Sequence, residues 1–81
     1  MLMKDIVPEL ERRGVDLRYV RVGQVEPDDF DVCCIVKTPP DQWDVFYTEK
    51  GMIFDLRTFY VEAAAVTYFL EWTSNLPKIT D

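Results

Sequence analysis

Carboxylates are the residues of this chain most capable of chemistry, and they cluster. Glu26, Asp28, Asp29 and Asp31 fall within six positions, and Asp41, Asp44 and Glu49 follow within the next eighteen. A calcium loop is one reading of such a run. It fails here, because the D-x-D-x-D-G spacing and the closing bidentate Glu are absent. A catalytic carboxylate pair would need convergence in space, which spacing alone does not supply. A solvated loop in which Asp28 or Asp29 makes a local turn is the plainer expectation. A partner-facing acidic patch is the functional one.

Other chemistry is thinly provided. The chain has no histidine, so Ser-His and Cys-His pairs are excluded, as is a histidine-completed zinc site. Ser74 falls at the end of an expected helix. The two cysteines, Cys33 and Cys34, are neighbours in an apolar stretch and would point to opposite faces of a strand, poorly placed to bond each other. They are expected as small buried hydrophobes in a reducing compartment. Three glycines, at 14, 23 and 51, form no phosphate-cradling loop. We therefore expect no enzyme, no cofactor and no metal.

The elements that must position these residues are legible from period. From Gln42 to Leu76 the chain reads as a hairpin passing directly into its longest helix. Trp43, Val45 and Tyr47 alternate with Asp44, Phe46 and Thr48, and Thr48-Glu49-Lys50-Gly51 supplies a turn. Ile53 to Phe59 is the expected return strand, with Phe54, Leu56 and Thr58 facing the core and Asp55 and Arg57 facing solvent. From about Phe59 the period becomes helical, placing Val61, Ala65, Tyr68, Phe69, Trp72 and Leu76 on one face. Pro77 ends the helix, and Lys78 to Asp81 is a tail.

Upstream, residues 2–13 form an amphipathic helix, with Leu2, Ile6, Val7 and Leu10 on one face. Asp5 is its expected cap, Pro8 sits in its first turn, and Gly14 stands at its C-terminal cap. Val15 to Val22 reads as a strand. Phe30 to Thr38 reads as the central strand, being apolar on both faces, and Pro39-Pro40-Asp41 breaks it. Short connections favour strand order 1-2-3-4. The expected fold is α+β: a four-stranded antiparallel meander with an N-terminal and a long C-terminal helix packed on one face, a two-layer sandwich. Eighty-one residues make a single domain, 1–81.

Helices on one side only leave the other side of the sheet open. Trp43 and Phe46 lie on opposite faces of one strand, so at least one of them should be exposed or covered by a partner. Aromatics beside carboxylates are typical of interface centres.

Charge narrows the partner. The net charge is −6, and it is uneven. Residues 1–23 carry five Lys/Arg against four Asp/Glu, while residues 24–81 carry four against eleven. Such a surface repels nucleic-acid backbones and anionic membranes, and it attracts a basic protein. The first ten residues lack the apolar core of a signal peptide, and no run of 18 apolar residues occurs, so a cytoplasmic location is expected.

Trp43-Asp44-Val45-Phe46-Tyr47-Thr48-Glu49-Lys50-Gly51, followed by Phe59, Glu62, Ala65 and Tyr68-Phe69-Leu70, resembles a pattern of small bacterial domains. Those domains are immunity proteins of polymorphic-toxin and contact-dependent inhibition systems. The resemblance covers about a third of the chain, mostly at fold-forming positions. It implies a small acidic cytoplasmic α+β protein, non-enzymatic, that binds and blocks one cognate toxin. The chain departs from the pattern before Glu62, where Tyr60-Val61 replaces a good helix cap, so Thr58 is the expected substitute. Together with the acidic balance, the resemblance implies a basic toxin such as a nuclease, contacted through Glu26, Asp28, Asp29, Asp31, Asp41, Trp43, Asp44 and Glu49. The alternative is a homo-oligomeric module, most simply a homodimer, pairing through its open sheet face.

Overall fold

A computed structural model of the chain describes residues 1–26 and 28–77. The tail expected at Lys78 to Asp81 lies outside the described residues, as does Pro27 of the acidic run.

The N-terminal helical segment divides into a 3-10 turn, Met3–Asp5, and helix α1, Ile6–Arg12. Ile6 and Leu10, one turn apart, are fully buried. Pro8 lies in the first turn, where its missing N–H forfeits no intrahelical bond. Asp5 precedes α1 without capping it, because its carboxylate accepts the Leu2 N–H at 2.9 Å instead. Gly14 follows with φ +74°, the left-handed conformation that a helix exit requires.

The segment expected as one strand over Val15 to Val22 is mostly something else. The Asp16 carboxylate accepts the Arg18 N–H at 3.0 Å and caps a 3-10 turn, Leu17–Tyr19. Only Val20–Val22 remains as strand β1. Strand β2 is Val32–Thr38, β3 is Gln42–Glu49 and β4 is Met52–Phe59. They lie in the expected order, β1-β2-β3-β4. The expected antiparallel meander is nevertheless wrong at its first step. β1 runs parallel to β2, with Val20 beside Cys33 and Val22 beside Ile35, whereas β2–β3 and β3–β4 are antiparallel. The cause is length. A three-residue strand spans only about 10 Å, so the nine residues between β1 and β2 can carry the chain back past it without a helix. The architecture is α+β with a mixed four-stranded sheet.

Helix α2, Glu62–Trp72, follows β4 and runs into a 3-10 turn, Thr73–Asn75, ahead of Pro77. Its apolar face is broader than the expected stripe: Ala65, Val66, Phe69 and Leu70 are buried, Tyr68 and Trp72 are half-buried, and Val61 is exposed. Thr58 does not cap it. The Thr58 hydroxyl donates to Asp44 at 2.9 Å, and Val61 stands at the cap position with no side-chain bond. Glu62 instead accepts the Met3 N–H at 2.8 Å, fastening the N-terminal turn to the start of α2.

Both helices contribute to one core. Ile6, Leu10, Ala65, Val66, Phe69 and Leu70 pack with Cys33, Ile35, Trp43 and Val45 on one side of the sheet. Val32, Cys34 and Phe46 form a second, smaller core on the other side.

β4 is where the sequence misleads most. Val45 pairs with Arg57 and Tyr47 with Phe54, so Asp55 and Leu56 together oppose Phe46. That is a β-bulge, and Asp55 adopts φ +56° to make it. The bulge breaks the period of two. Phe54 stays on the helix-bearing face beside Tyr47, with ring centroids 6.4 Å apart, while Leu56 shares the opposite face with Phe46. Every residue from Met52 to Thr58 is exposed, those on the helix-bearing face and those on the opposite face alike. The expected burial of Phe54, Leu56 and Thr58 is therefore incorrect.

Candidate functional site

The connection between β1 and β2 crosses the helix-free face of the sheet. Val25 within it packs on Val32, Cys34 and Phe46. Asp29 fixes its course. Its backbone N–H donates to the Glu26 carbonyl at 3.0 Å, and its carboxylate accepts the Glu26 N–H at 2.8 Å and the Arg21 guanidinium at 3.0 Å. The Glu26 N–H, with Arg21 assisting against the cost of burial, holds the Asp29 carboxyl below the usual carboxylate range. Asp31, at φ +56°, ends the crossing and accepts the Tyr47 hydroxyl at 2.8 Å. That bond to a carboxylate pushes the Tyr47 phenol up to about 12. Asp29 and Asp31 thus hold the loop in place. Glu26 and Asp28 stand exposed, and Glu26 accepts only the side-chain amide of Gln24 among the described residues, at 2.8 Å.

The carboxylates of the β2–β3 hairpin divide in the same way. Asp44 accepts from Thr38, Gln42 and Thr58 at 2.9–3.0 Å and so ties three strands together. Burial raises its carboxyl, and the three hydrogen bonds outweigh that, leaving it below its ordinary value. Asp41 is exposed in the turn before β3, and Glu49 is half-buried at the far end of that strand. Eight residues of strand separate them, about 25 Å.

Trp43 lies in the helix-side core at 8% exposure, with the Lys37 ammonium 5.6 Å from its ring centroid. Its indole N–H is buried without a partner among the described residues. Phe46, on the opposite face, is equally buried. The expectation that one of the two is exposed or covered by a partner is overturned by the crossing loop, which supplies the second cover from within the chain.

The eight expected contact residues therefore form no single patch. Glu26 lies at the helix-free face, Asp28 is exposed two residues on in the same loop, Glu49 is at the same end of β3 as the Glu26 groove, and Asp41 stands at the other end. Asp29, Asp31 and Asp44 are engaged internally, and Trp43 is in the core.

Sequence reasoning missed an apolar strip. Met52, Ile53, Phe54 and Leu56 are 60%, 58%, 40% and 54% exposed along the free edge of the sheet. Its one available signal was position: β4 is last in the strand order, and a last strand has an unpaired edge. Beside it a groove of about 310 Å³ is lined by Val25, Glu26, Phe46, Thr48, Gly51 and Ile53.

Neither cysteine is presented as a nucleophile. Cys33 and Cys34 are free and buried on opposite sides of the sheet, and burial pushes their thiols up to about 11 and about 12. The Ser74 hydroxyl donates to the Glu71 carbonyl at 2.6 Å. Among the described residues no three His, Cys, Asp or Glu side chains converge on a metal position, and no helix is long and apolar enough to cross a membrane. Compared with protein-family models, with curated proteins and with solved structures, the chain matches none.

Proposed function

We propose that this chain is a non-enzymatic binding protein, an immunity protein that neutralises a basic bacterial toxin, such as a nuclease, by one-to-one steric association in the cytoplasm. The observation that carries the proposal is the exposed apolar edge from Met52 to Leu56 on a molecule of net charge −6. Four large apolar side chains in five residues cost solubility unless a partner covers them. An acidic surface around them selects a basic partner and speeds its capture. The resemblance over residues 43–70 to small immunity proteins supports the same conclusion.

A homo-oligomeric module is the rival, since a free edge strand also suits pairing with a second copy. Two features oppose it. Two copies would bring like charge together, and the bulge at Asp55 interrupts the ladder that strand addition needs.

The test is protection. The toxin candidate encoded beside this gene is expressed in a sensitive bacterium with and without this chain, and the two are then co-purified. Rescue with a tight one-to-one complex is expected. No rescue and no complex, with a dimer by light scattering at micromolar concentration, would transfer the function to the rival.

A further inference from the structure

Resting on the immunity assignment, we infer that the groove between the crossing loop and β4 receives one aromatic or large aliphatic side chain of the basic partner, flanked there by Lys or Arg. The groove lies on the helix-free face. Among its lining residues Phe46 and Thr48 are buried, Val25 is half-buried, and Ile53 and Glu26 are exposed. Its volume of about 310 Å³ exceeds the ~150 Å³ that accommodates a benzene ring in an engineered cavity. Gly51 lines the mouth with no side chain, and a Cβ there would meet no atom within 4 Å, so the approach is open.

Charge sets what must accompany the apolar group. Glu26 and Asp28 are exposed, and neither pairs with a cation among the described residues. Glu49, at the same end of β3, alternates to the other face of the sheet and does not line the groove. No Lys or Arg occurs between Arg21 and Lys37. A groove lined by Val25, Phe46 and Ile53 with the exposed Glu26 beside them, in a stretch of the chain without cations, fits an apolar side chain flanked by cations and disfavours a second copy of this acidic chain.

The experiment is a chemical-shift titration of the isotope-labelled chain with the peptide acetyl-Lys-Trp-Lys-amide. Acetyl-Glu-Trp-Glu-amide and acetyl-Lys-Gly-Lys-amide serve as controls. Saturable shifts centred on Val25, Glu26, Phe46, Thr48, Gly51 and Ile53 are expected for the first peptide alone. Ile53→Lys and Glu26→Lys, both at exposed positions, should each weaken binding at least tenfold while leaving the dispersion of the remaining signals intact. Absence of saturation, shifts centred on Phe54 or Asp41, or an equal response to either control overturns the assignment. Shifts that change on diluting the chain alone also overturn it, in favour of self-association. The immunity assignment fails separately. If the wild-type chain rescues cells and Ile53→Lys rescues equally well, the groove is wrong and immunity stands. If the wild type gives no rescue while the peptide binds as described, immunity is wrong and the groove's chemistry stands.

Discussion

Replacing Leu56 by Lys separates the structure from the simple alternation of the β4 sequence. Under alternation Leu56 is a core residue, and a charge there would unfold a small domain. In the structure it is 54% exposed, beside the bulge at Asp55. Full burial of a leucine is worth about 1.5–3 kcal/mol, so the area Leu56 still buries accounts for at most about 0.7–1.4 kcal/mol. The lysine stem recovers part of that by lying along the same surface. A net cost of about 0.5–1 kcal/mol is therefore expected. Phe69→Ala supplies the contrast, since Phe69 is fully buried between α2 and the sheet and its truncation should cost about 3–5 kcal/mol. Against a total stability of about 4–12 kcal/mol for a chain of this length, the first change is tolerable and the second consumes much of it. Urea unfolding followed by circular dichroism measures both. With a slope near ~1 kcal/mol/M, Leu56→Lys should move the midpoint by about 1 M or less, with the slope unchanged. A loss above about 2 kcal/mol would refute the exposed edge and return Leu56 to the core.

Three further outcomes follow from named contacts. Asp55 holds φ +56°, which glycine adopts freely and β-branched residues resist, so Asp55→Gly should stabilise by up to about 1 kcal/mol and Asp55→Val should destabilise by about 1–2 kcal/mol, read as urea midpoints. Hydrogen bonds from Arg12 and Arg13 hold the Glu9 carboxyl at about 2, below its ordinary 4.5. Its contribution is complete above pH 4.5 and is lost as pH falls through about 2. The gap between wild type and Glu9→Gln should accordingly be widest near neutral pH and close across that window, and parallel curves would show that the pair adds nothing. Cys33 and Cys34 should resist a disulfide-exchange reagent at neutral pH in the native protein, both reacting only at the rate of unfolding, and a fast stoichiometric burst would contradict their burial.

The long hairpin, the strand order and both helices were legible because each rests on local period and on punctuation by Gly14, Gly51 and Pro77. The direction of β1 was not, since it depends on how the nine residues after Val22 run, and their sequence carries no periodic pattern that sets a direction. Asp55 concealed the exposure of β4: Ile-Phe-Asp-Leu-Arg-Thr-Phe alternates cleanly on paper, and only the pairing of Val45 with Arg57 and Tyr47 with Phe54 reveals the extra residue. For the candidate site, sequence identified the acidic loop but could not sort it. Asp29 and Asp31 are committed by Arg21 and Tyr47, partners eight and sixteen residues away, while Glu26 and Asp28 are not. The open face of the sheet makes either Trp43 or Phe46 a candidate contact on paper, yet the helices cover the Trp43 face and the chain's own Val25 packs on Phe46.

The parallel step between β1 and β2 is what connects fold to candidate site. In an antiparallel meander the acidic residues would sit in a turn at the end of the sheet, and Cys34 and Phe46 would lie bare on the open face. Reversing β1 obliges the chain to cross that face, which brings Val25 onto Phe46 and sets Glu26 in the lining of the groove with Ile53. The same sheet has unequal edges: β1 is three residues long, whereas β4 is eight. A long edge strand ordinarily invites strand addition, but here the bulge and the charged side chains of Asp55 and Arg57 interrupt it. Its backbone is thus a poor template while its side chains remain a good surface. Recognition at this edge is accordingly favoured through side chains seated in the groove, under the electrostatic selection of the crossing loop, and a partner that adds a strand to β4 would have to straighten Asp55 first.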